Sequence, residues 1–163
     1  MIDITKAANI ILYLIHKQTT ALNDRKLELM LFFMEYNHLQ FCGKKIVNEE
    51  FIKTKREPKA LFLNEIFELI KAEEILEEDD ERVFFIQEIM DFVDIDIVEK
   101  DGFKELKFKK HLEEFEESLF TKDELYSMQK VVNLYKDTSS RSLANECFKL
   151  DIVREKSLDE III

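Results

Sequence analysis

The chain has 163 residues, 46% hydrophobic and 36% charged, with 35 acidic against 24 basic side chains and a formal net charge of −11. That length fits one domain burying roughly 68–70% of its unfolded surface without a disulfide or metal staple, and the apolar content excludes a disordered or low-complexity chain. The acidic balance repels nucleic-acid phosphates over the molecule as a whole, and no apolar run approaches the ~18 residues that span a bilayer.

Only two glycines and one proline favour helices, and fourteen phenylalanines with no tryptophan indicate a core of Phe, Leu and Ile. Ile4, Ala8, Ile11, Leu12 and Ile15 recur at spacings of three and four, predicting a first amphipathic helix over 4–16 with Asp3 or Thr5 as cap. A second helix follows TTALND, opened by Asn23 or Asp24 and stopped near Gly43. It is apolar on most sides and therefore central. The period then changes, and KIVNEEFIKTK alternates about Asn48-Glu49, predicting a small hairpin. Pro58 is suited to a first helical turn, so a third helix is expected over about 58–76, its inward stripe running through Leu61, Phe62, Ile66, Leu69 and Ile70.

Asp79 or Asp80 caps a predicted fourth helix, ERVFFIQEIMDFV. Ile95 and Ile97, then Phe103, Leu106 or Phe108, alternate about Asp101-Gly102, a dipeptide suited to a tight hairpin turn. Leu112, Phe115 and Leu119 predict another short helix, and Thr121 with Glu124 forms a capping box for a helix over 122–136. Ser139 or Ser140 caps a short helix through Leu143 and Cys147, and Ser157 with Glu160 repeats the capping-box pattern before three isoleucines. The expected fold is mainly α (α+β): a single domain over 1–163, with about six to eight helices, one or two small β-hairpins and a short tail over 149–163.

Chemistry is sparse. His16, His38 and His111 are scattered, no nucleophile elbow is present, and the two glycines, Gly43 and Gly102, both have turn explanations, which leaves no phosphate-cradling loop. His38 and Cys42 stand four apart, a spacing two metal ligands share, but zinc needs three or four. Asp94 with Asp96, and Glu113 with Glu114, resemble halves of a divalent-cation motif; the alternation of Asp94-Ile95-Asp96-Ile97 points instead to a strand with one polar face. A metal-dependent enzyme on these acidic residues is the rival reading, and no catalytic residue, cofactor or metal is expected. Cys42 and Cys147 are too few for a secreted disulfide framework, and the N-terminus lacks a signal-peptide pattern, so a cytoplasmic location is expected.

Charge is segregated. Residues 1–60 carry ten Lys or Arg against seven Asp or Glu, whereas residues 71–99 carry two against twelve. The stretch KTKREPK gathers Lys53, Lys55, Arg56 and Lys59 around Pro58. It reads either as a solvated hairpin edge, where lysine discourages aggregation, or as a recognition loop on a rigid scaffold. These four residues are the candidate partner-binding set.

Three stretches resemble the Panacea domain, the SocA-like antitoxin family. KLELMLFFMEYNHLQFCGKKI (26–46) is similar to its Lys-Leu-x-x-Leu helix followed by a glycine and a strand. FIKTKREPKALFLNEIF (51–67) is similar to its second strand leading through Gly-Pro into a helix, and FTKDELYSMQKVVNLYKDTSSRSLANECF (120–148) to its closing segment. The resemblance covers about 4–148, with the hairpin at 95–108 looking like an insertion or variable region. Glu57 stands where glycine is common, Glu28-Leu29 replaces a polar-Lys pair, and Cys147-Phe148 replaces Thr-His. The resemblance implies a non-enzymatic protein that binds and neutralises a cognate toxin of a bacterial or phage toxin–antitoxin system. The family's namesake delivers its toxin to a protease, so the expected partners are a toxin and a protease component, with neither nucleic acid nor membrane. A regulatory protein–protein interaction module unrelated to toxins is the alternative.

Overall fold

A computed structural model describes all residues 1–163. Seven α-helices and two small antiparallel sheets form the α+β fold. Helices α1 (Ile4–His16) and α2 (Asp24–Cys42) come first, followed by strands β1 (Phe51–Lys53) and β2 (Pro58–Ala60). Next are α3 (Leu61–Ala72), α4 (Glu81–Phe92) and the hairpin β3 (Val93–Lys100) and β4 (Phe103–Lys110). Helices α5 (Lys122–Tyr135), α6 (Ser140–Cys147) and α7 (Asp151–Arg154) complete the chain.

Local signals place most of these elements. Asp3 caps α1, its carboxylate accepting from the Lys6 amide at 3.0 Å. Asn23 caps α2 through Lys26, and Gly43 ends it with φ +73°, the left-handed conformation that glycine adopts without Cβ strain. Asp101 and Gly102 both take positive φ in the β3–β4 turn, as a two-residue hairpin of this type requires. The Thr121–Glu124 capping box is fully formed, and Ser139 caps α6.

Helix α2 is the centre. Leu27, Leu29, Met30, Leu31, Phe32 and Met34 are buried in a core cluster that extends from Ile2 to Ile163. Lys26 is buried in their company because its ammonium donates to the Thr20 and Lys136 carbonyls at 2.6 and 2.7 Å. That satisfies the cation with backbone oxygen and ties the end of α5 to the start of α2. Asp24 and Asn23 do the same for the second hairpin, accepting from the Leu106 amide at 2.9 Å and donating to Glu105 at 2.8 Å.

Four expectations are corrected. The first hairpin turns at Lys55-Arg56, not Asn48-Glu49. Ile46 and Val47 are buried loop residues whose amides donate to the Glu35 carboxylate, so their alternation reflects burial and not pairing. Pro58 lies in β2 and does not begin α3, which starts at Leu61 and ends at Ala72. Pro58 faces Lys53, whose own N–H and C=O engage Glu160 and Asp159 at 3.0 and 2.8 Å; the pair needs no hydrogen bond, so the missing proline N–H costs nothing. The inward stripe of α3 is Leu63, Ile66 and Phe67, and Leu61 is exposed.

The helix expected at Leu112–Leu119 shrinks to a single 3-10 turn, Glu117–Leu119. Leu112 is 82% exposed, while buried Asn9 holds the segment by accepting from the Glu116 amide. Ser157 and Glu160 bond as a capping box does, yet no helix follows. Ile161–Ile163 instead run antiparallel along β1, with Ile162 donating to the Phe51 carbonyl at 2.7 Å and Phe51 to that of Ile163 at 3.0 Å. Strand β1 thus lies between β2 and the tail.

Candidate functional site

The basic stretch sits on the first hairpin, and buried carboxylates fix its position. Thr54 Oγ1 accepts from the Glu57 amide at 3.2 Å and donates to the Glu57 carbonyl at 2.6 Å, closing the turn. Glu57 points inward and receives Arg25 Nε from the first turn of α2 at 2.9 and 3.0 Å. Glu28, one turn further along α2, accepts from the Ala60 amide at 3.0 Å and from Asn64 at 3.1 Å. Glu35 collects the amides of Ile46, Val47 and Glu49. Glu49 in turn accepts from Phe62 and Leu63 at 3.2 and 2.9 Å, capping α3, whose own cap residue Ala60 has no side chain to do so.

Burial sets the electrostatics of this framework. It pushes the Glu28 carboxyl up to about 7, against the pull of Lys59 and of its two hydrogen bonds. Glu35 and Glu49 are raised for the same reason, although backbone amides favour their charged forms. None of these acids belonged to the candidate set. The signal in the sequence is Glu28 and Glu35 standing seven apart within the apolar middle of α2, a spacing that puts both on one face.

The four candidate cations separate into two kinds. Lys55 and Arg56 are exposed at the hairpin tip. Lys53 folds back, its ammonium donating to the Lys156 and Arg154 carbonyls at 2.8 and 3.2 Å and lying 5.9 Å from the Phe148 ring centroid. There it satisfies carbonyls at the end of α7. Lys59 is half-buried, 4.0 Å from Glu57.

Arg56 and Lys59 also line an open cleft of about 740 Å³ between the hairpin, the start of α2 and the β3–β4 turn. Arg25, Lys71 and Lys104 share this wall with Asp24, Glu68 and Glu105. Lys71 pairs with Asp24 and Glu68, Arg25 with Glu57, and Lys104 lies 4.0 Å from Glu99. Arg56 alone of the five cations has no carboxylate within 4.0 Å. The cleft is thus largely neutralised from within and presents one uncommitted guanidinium, a group suited to a carboxylate.

The residues weighed as metal ligands are occupied singly. His111 contacts Asp94 at 2.8 Å, Lys109 pairs with Asp96 at 2.8 Å, and His38 Nδ1 donates to the Lys44 carbonyl at 2.6 Å. No three His, Cys, Asp or Glu side chains are grouped to hold an ion. Cys147 is buried beside the hairpin, its thiol pushed upward by desolvation and by Glu57. No helix is long and apolar enough to cross a membrane.

A family model for the antitoxin SocA-like, Panacea domain matches residues 29–150, from the second turn of α2 to the residue before α7. The match begins well after residue 4, leaving α1 outside it, and contains both hairpins and the whole basic stretch. No curated protein and no solved structure matches the chain.

Proposed function

The chain belongs to the SocA-like, Panacea-domain antitoxin family, and we propose from that premise that it binds a cognate toxin and neutralises it without catalysing a reaction. The observation carrying this reading is the family match across residues 29–150, three quarters of the chain. The toxin belongs to a bacterial or phage toxin–antitoxin pair, and the complex forms in the cytoplasm. Delivery of the bound toxin to a protease is the finer form of the reading.

The contact we assign to the basic stretch is with an acidic face, on the toxin or on the protease component. A hairpin braced by Glu28, Glu35, Glu49 and Glu57 holds Lys55 and Arg56 on a stiff support. Exposed charges of this kind change the rate of encounter and its salt dependence more than the final affinity. Lys53 and Lys59 contribute through the hairpin's shape, since both have partners within the chain.

Co-expression with the protein encoded beside it tests the reading. The neighbour alone should arrest growth, the pair should grow, and the two proteins should co-purify in a fixed ratio. A harmless neighbour, or a toxic one that this chain neither binds nor relieves, removes the antitoxin function and leaves a regulatory interaction module.

A further inference from the structure

A second concavity, of about 540 Å³, opens between α3, α4, the loop before β1 and the chain end, and it is lined mainly by apolar side chains. Its walls include Ile2, Ile163, Phe62 and Phe85, the two rings meeting edge to face at 4.8 Å. At its margin Leu61 and Ile161 remain 47% and 49% exposed, and Phe84, 5.5 Å from the Phe85 ring, is 61% exposed. Single exposed apolar residues need no explanation, but several around one concave surface mark a contact site. The first turn of α3 shows the same feature: Leu61 faces outward in a helix whose Leu63, Ile66 and Phe67 face the core.

The charge beside this groove says what fits it. Glu50 and Glu81 line it, the one cationic side chain in its wall, Lys45, is held by the Glu49 carbonyl at 2.9 Å, and from Glu73 to Glu81 the chain carries seven carboxylates. Of these only Asp80 has an ion-pair partner, Arg82. Several acids that pack against the body of the fold are neutralised at close range, as Glu57 is by Arg25, Glu124 by Lys6 and Glu105 by Lys100. A second copy of this chain would set the same acidic lip against itself across a two-fold axis. Phosphate backbones and anionic lipid are repelled in the same way.

We infer that this groove docks a segment of a partner protein that is apolar at its centre and flanked by lysine or arginine. Its apolar side chains enter among Leu61, Phe62, Phe85 and Ile161, and its cations meet Glu50, Glu81 and the acidic run. The inference rests on the toxin-binding reading in taking the toxin as the protein that carries the segment. It assigns the basic hairpin tip and the groove to different partner surfaces, one acidic and one basic.

Two arms test it. In the first, the product of the neighbouring gene is titrated with the native chain, a Leu61→Ser/Phe84→Ser variant and a Glu77→Lys/Glu78→Lys/Glu81→Lys variant, all changed at exposed positions. The apolar variant should bind at least tenfold more weakly with an unchanged salt slope. The charge variant should associate at least tenfold more slowly at low salt with a flatter slope. If both bind and relieve toxicity as the native chain does, the groove is not the site, while the antitoxin reading stands. If the native chain itself neither binds nor relieves toxicity, the antitoxin reading fails and the second arm decides the groove alone. There the isotope-labelled full chain is titrated with an 18-residue amphipathic peptide of leucine and lysine, with a leucine–glutamate peptide as control. Shifts confined to Glu50, Leu61, Phe62, Phe85 and Ile161 with the lysine peptide only support the groove. Shifts spread along the acidic run without Leu61 or Phe85 overturn it, as does a sedimenting dimer that the Leu61→Ser/Phe84→Ser variant dissolves.

Discussion

Arg25 Nε lies 2.9 and 3.0 Å from the two carboxylate oxygens of Glu57, and Glu57 is 2% exposed. The contact joins the first turn of α2 to the residue before β2, so it fixes how the hairpin stands on the central helix. Removing one partner of a fully buried pair costs about 3–5 kcal/mol. Arg25 is partly solvated and Lys59 lies 4.0 Å from Glu57, which brings the expected loss for Arg25→Ala to the order of 1–3 kcal/mol. Adding Glu57→Gln should recover part of that loss, because a neutral amide is cheaper to leave without its cation. Urea unfolding of the two variants measures the difference; a double variant no more stable than Arg25→Ala would show that charge is not what the contact supplies.

Glu28 makes stability depend on pH. Its folded carboxyl is raised from 4.5 to about 7, so between those values the folded chain holds a proton that the unfolded chain has released. The sign follows: the contribution is fully present below pH 4.5 and is lost as pH rises to about 7, amounting to about 3 kcal/mol for a shift of this size. Glu35 and Glu49 are raised too and act in the same direction. Glu28→Gln keeps an acceptor for the Ala60 amide and lets Asn64 turn its oxygen to the new amide. The urea midpoint of that variant should fall less between pH 5 and pH 8 than the native midpoint does. An equal fall in both assigns the dependence to other groups.

Glu49 caps α3 from outside the helix, and its loss should be felt locally. Glu49→Ala leaves the Phe62 and Leu63 amides without an acceptor in a partly buried position. A lost cap costs about 1–2 kcal/mol, which corresponds to roughly 5- to 30-fold in an opening equilibrium. Amide exchange at Phe62 and Leu63 should therefore quicken by that factor while α5 amides keep their rates. Uniform quickening across the chain would mean that Glu49 supports global stability only.

What could be read in the sequence was whatever is decided within a turn or two of chain. The Asn23 and Gly43 ends of α2, the Asp101-Gly102 turn and the Thr121–Glu124 box each depend on residues at most four apart. The first hairpin is decided at a distance: Glu35 holds the loop at 46–49, Glu49 starts α3, and Glu160–Ile163 pair with β1. No local pattern announces any of these: the alternation about Asn48-Glu49 points to a turn seven residues early, and the helix-starting habit of proline points to a helix at Pro58. The same limit applied at the candidate site. That KTKREPK is basic was plain, but Lys53 is committed to carbonyls about a hundred residues away. The acids that brace the hairpin act on amides and cations up to 36 residues away, so no neighbouring residue marks their role.

The division of the basic stretch leads to a sharper test of its role. Lys55 and Arg56 are exposed and make no ion pair, so Lys55→Glu/Arg56→Glu should leave the fold within about 0.5 kcal/mol of native, as surface changes generally do. Lys53→Glu is different: it would set a carboxylate against the Arg154 and Lys156 carbonyls and beside the Phe148 ring. That repulsion should loosen α7 and the tail from β1, and the unfolding midpoint should fall although the residue lies on the surface. Association with an acidic partner then separates the two effects. In stopped-flow mixing, the Lys55→Glu/Arg56→Glu chain should bind more slowly at low salt and match the native rate at high salt, where the Debye length falls to a few ångströms. The Lys53→Glu chain should show its deficit at every salt concentration, because it changes shape as well as charge. If the double variant keeps the native rate and salt slope, the hairpin tip serves only to keep the sheet edge soluble.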